Sequence, residues 1–280
     1  MSVPVNLSWE VIVVDNNSSD NTRKVVEDFV RSSELNIRYV FEGKQGHSHA
    51  RNTGVKEAKG EIIAFTDDDV IVEKSWIHNI DRIFKEDYVG CIGGKILPIW
   101  EKPCPKWLTK DLYGYLALLD YGENPFYIDS PEIWGANFAV KSSLFQKYGY
   151  FDTTLGRLPT KLYADEETEF FQSLLKGGEK ILYSPDILVY HCIPAHRIKK
   201  SYFRKWRYDE GELRGIRMGY YGYRNILGIP LYSIKQLIQE LFKYLWIQIF
   251  YPQNAFIEQL RFIYIIGFFA GRIRFYIGSK

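Results

Sequence analysis

Between Trp9 and Thr66 the chain alternates extended and helical patterns, and this alternation limits its fold more than any other feature. Trp9–Val14 is an apolar, β-branched run closed by the turn cluster Asp15-Asn16-Asn17-Ser18-Ser19-Asp20. Val25, Val26, Phe29 and Val30 then recur at helical spacing through Asn21–Ser32, and Asn36–Phe41 reads as a second strand. Gly46–Ala58 reads as a helix with Ser48 as its N-cap, closed by Gly60. Glu61–Thr66 is a third strand, and its near-continuous apolar run suits a strand covered on both faces. This order predicts parallel pairing in a Rossmann-like α/β sheet flanked by helices. Ligands bind such sheets in the crevice beyond the carboxyl ends of the strands.

Two acidic clusters, Asp15 to Asp20 and Asp67-Asp68-Asp69, fall at those carboxyl ends. Three adjacent carboxylates repel one another unless a cation compensates. Oxygen-only ligation suits Mg²⁺ or Mn²⁺ and suits zinc poorly, and such an ion is commonly shared with substrate phosphates. An acidic turn or helix cap is the simpler alternative. A third cluster is Asp165-Glu166-Glu167-Thr168-Glu169-Phe170. Helical spacing groups Glu167 with Phe170, Phe171 and Leu174 on the apolar face, and Glu166 with Glu169 and Ser173 on a wetter one. A general base needs a directed, partly shielded carboxylate, so Glu167 is the first candidate and Glu166 the second. The alternative is a solvated acidic helix N-terminus favoured by the macrodipole. Lys180–Tyr190 is a further strand that ends at His191.

At 280 residues the chain has room for one large α/β domain and a helical appendage. A formal charge of +2 excludes a global nucleic-acid binder. Cys91, Cys104 and Cys192 lack metal-ligand spacing and are odd in number, which fits a reducing compartment rather than a disulfide scaffold. Without a basic region followed by an apolar one at the N-terminus, the sequence reads as cytoplasmic. A domain boundary is expected near residue 200, where the basic run Arg197–Arg207 leads into two apolar helical segments, Leu231–Phe250 and Asn254–Tyr276. Neither provides the roughly 20 apolar residues that a spanning helix needs. Their aromatic residues and flanking arginines suit an interfacial position, which predicts peripheral attachment to the inner face of a membrane. An aromatic content of 16% fits carbohydrate or membrane contact, and fits a filled core equally well.

Six blocks occur in the order found in glycosyltransferase family 2. They are Glu10–Asp20 (EVIVVDNNSSD), Gly46–Asn52 (GHSHARN), Gly60–Val70 (GEIIAFTDDDV), Trp134–Val140 (WGANFAV), Asp165–Phe170 (DEETEF) and Val189–His191 (VYH). Over residues 8 to 210 the chain resembles that family. The resemblance implies a GT-A fold over residues 1–200, and inverting, metal-dependent transfer of a sugar from a nucleotide-diphosphate sugar; the change of character near residue 200 predicts a helical segment over 201–280. It implies Asp69, Asp67 and His191 as ligands of Mn²⁺ or Mg²⁺, and Asp15, Asn16, Arg51, Asp67 and Asp68 at the nucleotide. It implies Glu167, with Glu166 second, as the base acting on a saccharide or lipid-linked acceptor.

Two departures from the family pattern stand out. Members begin with another strand, a polar turn and a helix ahead of the strand at Trp9–Val14; either the true start lies upstream, or the chain is a shortened paralogue whose sheet is expected to have an open edge or a gap. Lys205-Trp206-Arg207 only faintly matches the Q-x-x-R-W signature of processive synthases, which points to one sugar per event. A catalytically impaired homologue acting as a membrane-associated scaffold, and a Mg²⁺-dependent nucleotidyltransferase, are the competing readings.

Overall fold

A computed structural model of the protein describes residues 7–86, 88–130, 132–155, 162, 165–218, 224–226 and 228–278. The described residues fall into two units. One is drawn from Met1–Pro103, Lys110–Leu158 and Asp165–Pro194, the other from Cys104–Thr109, Pro159–Ala164 and Ala195–Lys280.

The first unit opens with β1 (Val11–Asp15), α1 (Thr22–Ser32), β2 (Ile37–Phe41), α2 (His47–Glu57) and β3 (Ile62–Thr66). β1 and β2 pair in parallel, from Val11 opposite Ile37 to Asp15 opposite Phe41. Asn17 leaves β1 at φ 57°, the left-handed region that asparagine tolerates better than most residues. There follow β4 (Val70–Val72), α3 (Trp76–Glu86), β5 (Cys91–Trp100), β6 (Phe126–Ile128), β7 (Asn137–Lys141), α4 (Ser143–Tyr148), α5 (Glu166–Lys176) and β8 (Ile181–Ile193).

The main sheet runs β3-β7-β5-β8-β4, with β6 added on β8. Its pairing is mixed: β5 and β8 are parallel, while β3–β7, β5–β7 and β4–β8 are antiparallel. Periodicity identified β3 correctly as a strand but carried no information about its partner. Among the described residues β1 pairs only with β2, and β3 only with β7, so the sheet is in two pieces. Lys110–Leu116 forms a 3₁₀ stretch with Gly114, a poor α-helix former, inside it.

Part of the aromatic content is core. Phe65 stacks on Phe138 with centroids 4.4 Å apart, Phe145 stacks on Phe170 at 4.8 Å, and Phe138 meets Phe171 edge-on at 5.1 Å. Each such pair adds about 0.5–1.5 kcal/mol beyond its buried area. The long strand β5 changes register against β8 between Gly94 and Lys95. Buried Asn137 satisfies the freed carbonyls: its Nδ2 donates to Lys95 at 3.0 Å and to Ile187 at 2.7 Å, and its Oδ1 accepts from the Trp76 indole at 2.9 Å. A side chain at Gly94 would fall on the Ile187 carbonyl and on Asn137.

The second unit contains α6 (Lys200–Arg217), the two-residue strands β9 (Asn225–Ile226) and β10 (Ile229–Pro230), α7 (Leu231–Phe250) and α8 (Ala255–Gly278). Its organising contact is glycine against backbone. A Cβ at Gly211 or Gly215 of α6 would strike the carbonyls of Tyr264 or Phe268, and one at Gly267 or Gly271 of α8 would strike those of Tyr208 or Glu212. Each helix therefore sets two glycines, four residues apart, on the face that meets the other. Arg272 is buried behind this seam and donates to the carbonyls of Gly228 at 2.8 Å and Gly215 at 3.2 Å.

α8 buries Leu260, Ile265 and Phe268 within this unit, while Phe262, Ile263 and Phe269 are half-buried and Ile266 is exposed. α7 exposes a longer run of apolar residues, including Phe242, Trp246 and Ile249. Among the described residues no helix is long and apolar enough to cross a membrane.

Candidate active site

α2 organises the site. Gly46 precedes it at φ 136°, a conformation that favours glycine. Ser48 does not cap the helix as expected. It is buried, and its Oγ donates to the Asp152 carbonyl at 2.8 Å. Asn52 exchanges two hydrogen bonds with the backbone of Phe151, at 2.8 and 2.9 Å. With this face of the helix tied to the Phe151-Asp152 backbone, Arg51 projects over the Phe151 ring, 5.9 Å from its centroid.

Arg51 gathers the acidic clusters. Its Nη1 pairs with Glu166 at 3.0 Å and with the Glu167 carboxylate, and its Nη2 lies 3.8 Å from Asp67. Burial opposes the guanidinium charge, but Glu167, Asp67 and Glu166 outweigh it and hold the group above its ordinary pKa. Breaking a buried pair of this kind typically costs about 3–5 kcal/mol, because a charge is left uncompensated.

The two glutamates differ in environment, and in the opposite sense from the sequence reading. Glu166 is 1% exposed, while the Glu167 side chain is 19% exposed. Glu166 shares the inward face of α5 with Phe170 and Leu174, at i+4 and i+8. Spacing from the apolar residues indicates a face, but a first-turn residue at its margin is buried by whatever covers it, here α2. Burial, then repulsion from Glu167, push the Glu166 carboxyl up to about 7 against the pull of Arg51. Its Oε2 is buried without a hydrogen-bond partner among the described residues.

Strand register explains the third carboxylate. β4 begins directly after Asp69 and pairs antiparallel with β8, setting Val70 opposite His191. The Cys192 N–H donates to the Asp69 carbonyl at 2.8 Å, and the Asp69 carboxylate lies 3.1 Å from His191 Nε2. His191 is buried inside β8 rather than at its end. Asp67 and Asp69 are half-buried while Asp68 between them is exposed, the alternation of an extended segment. Asp67 faces Arg51 and Asp69 faces His191. Among the described residues no three acidic, histidine or cysteine groups form one metal cage. The Asp69–His191 pair offers two adjacent donors, a partial set that fits an ion completed by substrate phosphates.

Asp15 and Asn16 have structural duties. Asp15 accepts from the Ser18 N–H at 2.9 Å and from the Tyr39 hydroxyl at 2.7 Å. Burial raises its pKa, but those hydrogen bonds outweigh burial and hold it below the ordinary value. Asn16 donates to the Lys44 carbonyl and accepts from the Gly46 N–H, each at 2.7 Å, bracing the loop before α2. Gly135 escaped the sequence reading as a site residue. A Cβ there would fall on the Glu167 carboxylate and the Arg51 guanidinium, so any side chain at this position would displace both groups. Its place in the Trp134–Val140 block was the available signal.

The family model described as Glycosyl transferase family 2 matches residues 6–149. The chain belongs to glycosyl transferase family 2. Among its family 2 relatives is the glucosyl-dolichyl phosphate glucuronosyltransferase of Haloferax volcanii, 25% identical over 189 residues, covering 67% of this chain and 60% of that one. The succinoglycan biosynthesis protein ExoM of Rhizobium meliloti is 24% identical over 217 residues, covering 77% and 67%. The chain thus spans about two thirds or less of the length of these relatives. In fold it resembles the Pyrobaculum calidifontis mannosyltransferase solved with GDP-Man and Mn²⁺, at TM-score 0.59 and 18% identity, covering 94% of this chain and 77% of that one. It also resembles GalNAc-T7 solved with UDP, GalNAc and Mn²⁺, at TM-score 0.53 and 18% identity, covering 76% and 46%. These likenesses establish a GT-A α/β fold.

Proposed function

We propose that the protein is an inverting glycosyltransferase that moves a sugar from a nucleotide-diphosphate sugar to an acceptor hydroxyl. The observation that carries this reading is the joining of Asp67, at the end of β3, to Glu166 and Glu167 on α5 through Arg51. A strand-end carboxylate suited to the donor and two carboxylates suited to proton removal thereby share one site. The metal-bearing complexes of its two structural neighbours and the chemistry of the donor set support Mn²⁺ or Mg²⁺.

Asp69 and His191 would hold the ion, with Asp67 toward the nucleotide; when bound, the ion neutralises charge on the diphosphate leaving group. Glu167 takes the acceptor proton, because it is accessible where Glu166 is sealed. Glu166 and Arg51 aim it. Asp15, Asn16 and Asp68 shape the nucleotide end of the site, the first two by holding the loops around it. The acceptor is a saccharide or a lipid-linked saccharide, in keeping with the names of the two relatives. The amphipathic C-terminal helices support work at the cytoplasmic face of a membrane.

The test is turnover of a panel of UDP-, GDP- and dTDP-sugars, read as nucleoside diphosphate release, beside Glu167→Gln. Losing a positioned base lowers transfer about 10²–10⁴-fold. Unchanged turnover in the variant removes Glu167 from the role. Pyrophosphate release from a nucleoside triphosphate would instead indicate a nucleotidyltransferase.

A further inference from the structure

α7 is apolar on its exposed side as well as its covered one. Ser233 is buried, and Ile234, Leu237, Glu240, Tyr244 and Ile247 are half-covered. At about 100° per residue, Leu241, Phe242, Leu245, Trp246, Ile249 and Phe250 fill about half the circumference of its last ten residues. All six are exposed, and Phe242, Trp246 and Ile249 are 68%, 61% and 71% exposed. Lys243 and Gln248 border this arc on either side. No charged residue occurs from Tyr244 to Ile257.

We propose that the C-terminal half of α7 is a membrane-insertion element that lies in the plane of a phospholipid bilayer, with this arc among the upper acyl chains. Three features select a bilayer over a second copy of the chain. The arc is about twice the width of the narrow stripe that two packed helices share. It is uniformly apolar, with no polar group inside it to set the register of a protein partner. Trp246, Phe250 and Tyr251 place aromatic rings along it, the residue class enriched where hydrocarbon meets water. Its ten residues are too short to span a bilayer and long enough to lie in one. Lys235 lies in line with the arc about 10 Å nearer the helix start, so the helix enters with its C-terminal end deepest. This inference is independent of the catalytic reading, since it needs neither donor nor acceptor.

Vesicle flotation of the full chain tests it, using phosphatidylcholine alone and phosphatidylcholine with phosphatidylglycerol. The wild type floats with both. Ile249→Gln/Phe250→Gln keeps its helical circular dichroism, because both positions are exposed, and floats at least tenfold less. Brominated phosphatidylcholine quenches fluorescence in the wild type, and Trp246→Phe removes that quenching. Three outcomes overturn the proposal. One is equal flotation of the double variant, and another is flotation only with phosphatidylglycerol, which would assign binding to surface cations. The third is a wild type that stays in the aqueous phase, whether monomeric or as a dimer that the double variant dissociates.

Discussion

Arg51 Nη1 lies 3.0 Å from Glu166 Oε1, a contact between side chains 115 positions apart that joins α2 to α5. The same guanidinium reaches Glu167 and faces Asp67, so one buried cation balances three carboxylates. Substituting Arg51→Met leaves those carboxylates facing one another with no counter-charge. The expected loss is about 3–5 kcal/mol in urea unfolding. Arg51→Lys recovers only part of it, since an ammonium lacks the planar fork that spans several carboxylates.

The raised Glu166 carboxyl makes stability depend on pH with a definite sign. A carboxyl whose folded pKa exceeds its unfolded one keeps its proton longer in the folded state. Its favourable contribution is complete below 4.5 and is lost as pH rises toward about 7. Unfolding free energies measured across that window should fall with rising pH for the wild type relative to Glu166→Gln. A difference between the two that stays flat across the window contradicts the assignment.

Gly135 tests whether the Arg51–Glu167 arrangement matters for transfer. Gly135→Ala places a methyl group on both side chains and forces them apart. Transfer is expected to drop at least tenfold, with overpacking costing about 1–3 kcal/mol of stability. Turnover assays and thermal melts on the same preparation separate the two effects.

The helix seam of the second unit gives a prediction free of catalysis. Gly271→Val drives a branched side chain into the Glu212 carbonyl and pushes α8 from α6. A loss of about 1–3 kcal/mol or more is expected, measured as a lower denaturant midpoint. Gly278→Ala, with open space around it, serves as the neutral control.

How far the sequence reading reached follows from what each signal encodes. Local signals placed β1, α1, β2, α2 and β3 to within a residue or two, because periodicity and turn residues are properties of neighbours in the chain. Pairing is not local, so nothing before Thr66 indicated that β3 would run antiparallel to β7, whose first residue is Asn137. Arg51, Glu166 and Glu167 were each recognised as candidate site residues. Their mutual contact was invisible, since it depends on where α2 meets α5. The burial of Glu166 was read in reverse for the same reason. Gly211, Gly215, Gly267 and Gly271 stand at spacings of four in the sequence, but that each pair faces the other depends on where α6 meets α8.

The proposed transfer requires that Asp69 and His191 hold a metal ion shared with a nucleotide diphosphate. Calorimetric titration with UDP, GDP and dTDP, with and without Mn²⁺, is decisive when run beside Asp69→Asn. One nucleotide should bind only when Mn²⁺ is present, and the variant should lose this binding. Metal-independent binding that Asp69→Asn leaves intact would rule the site out.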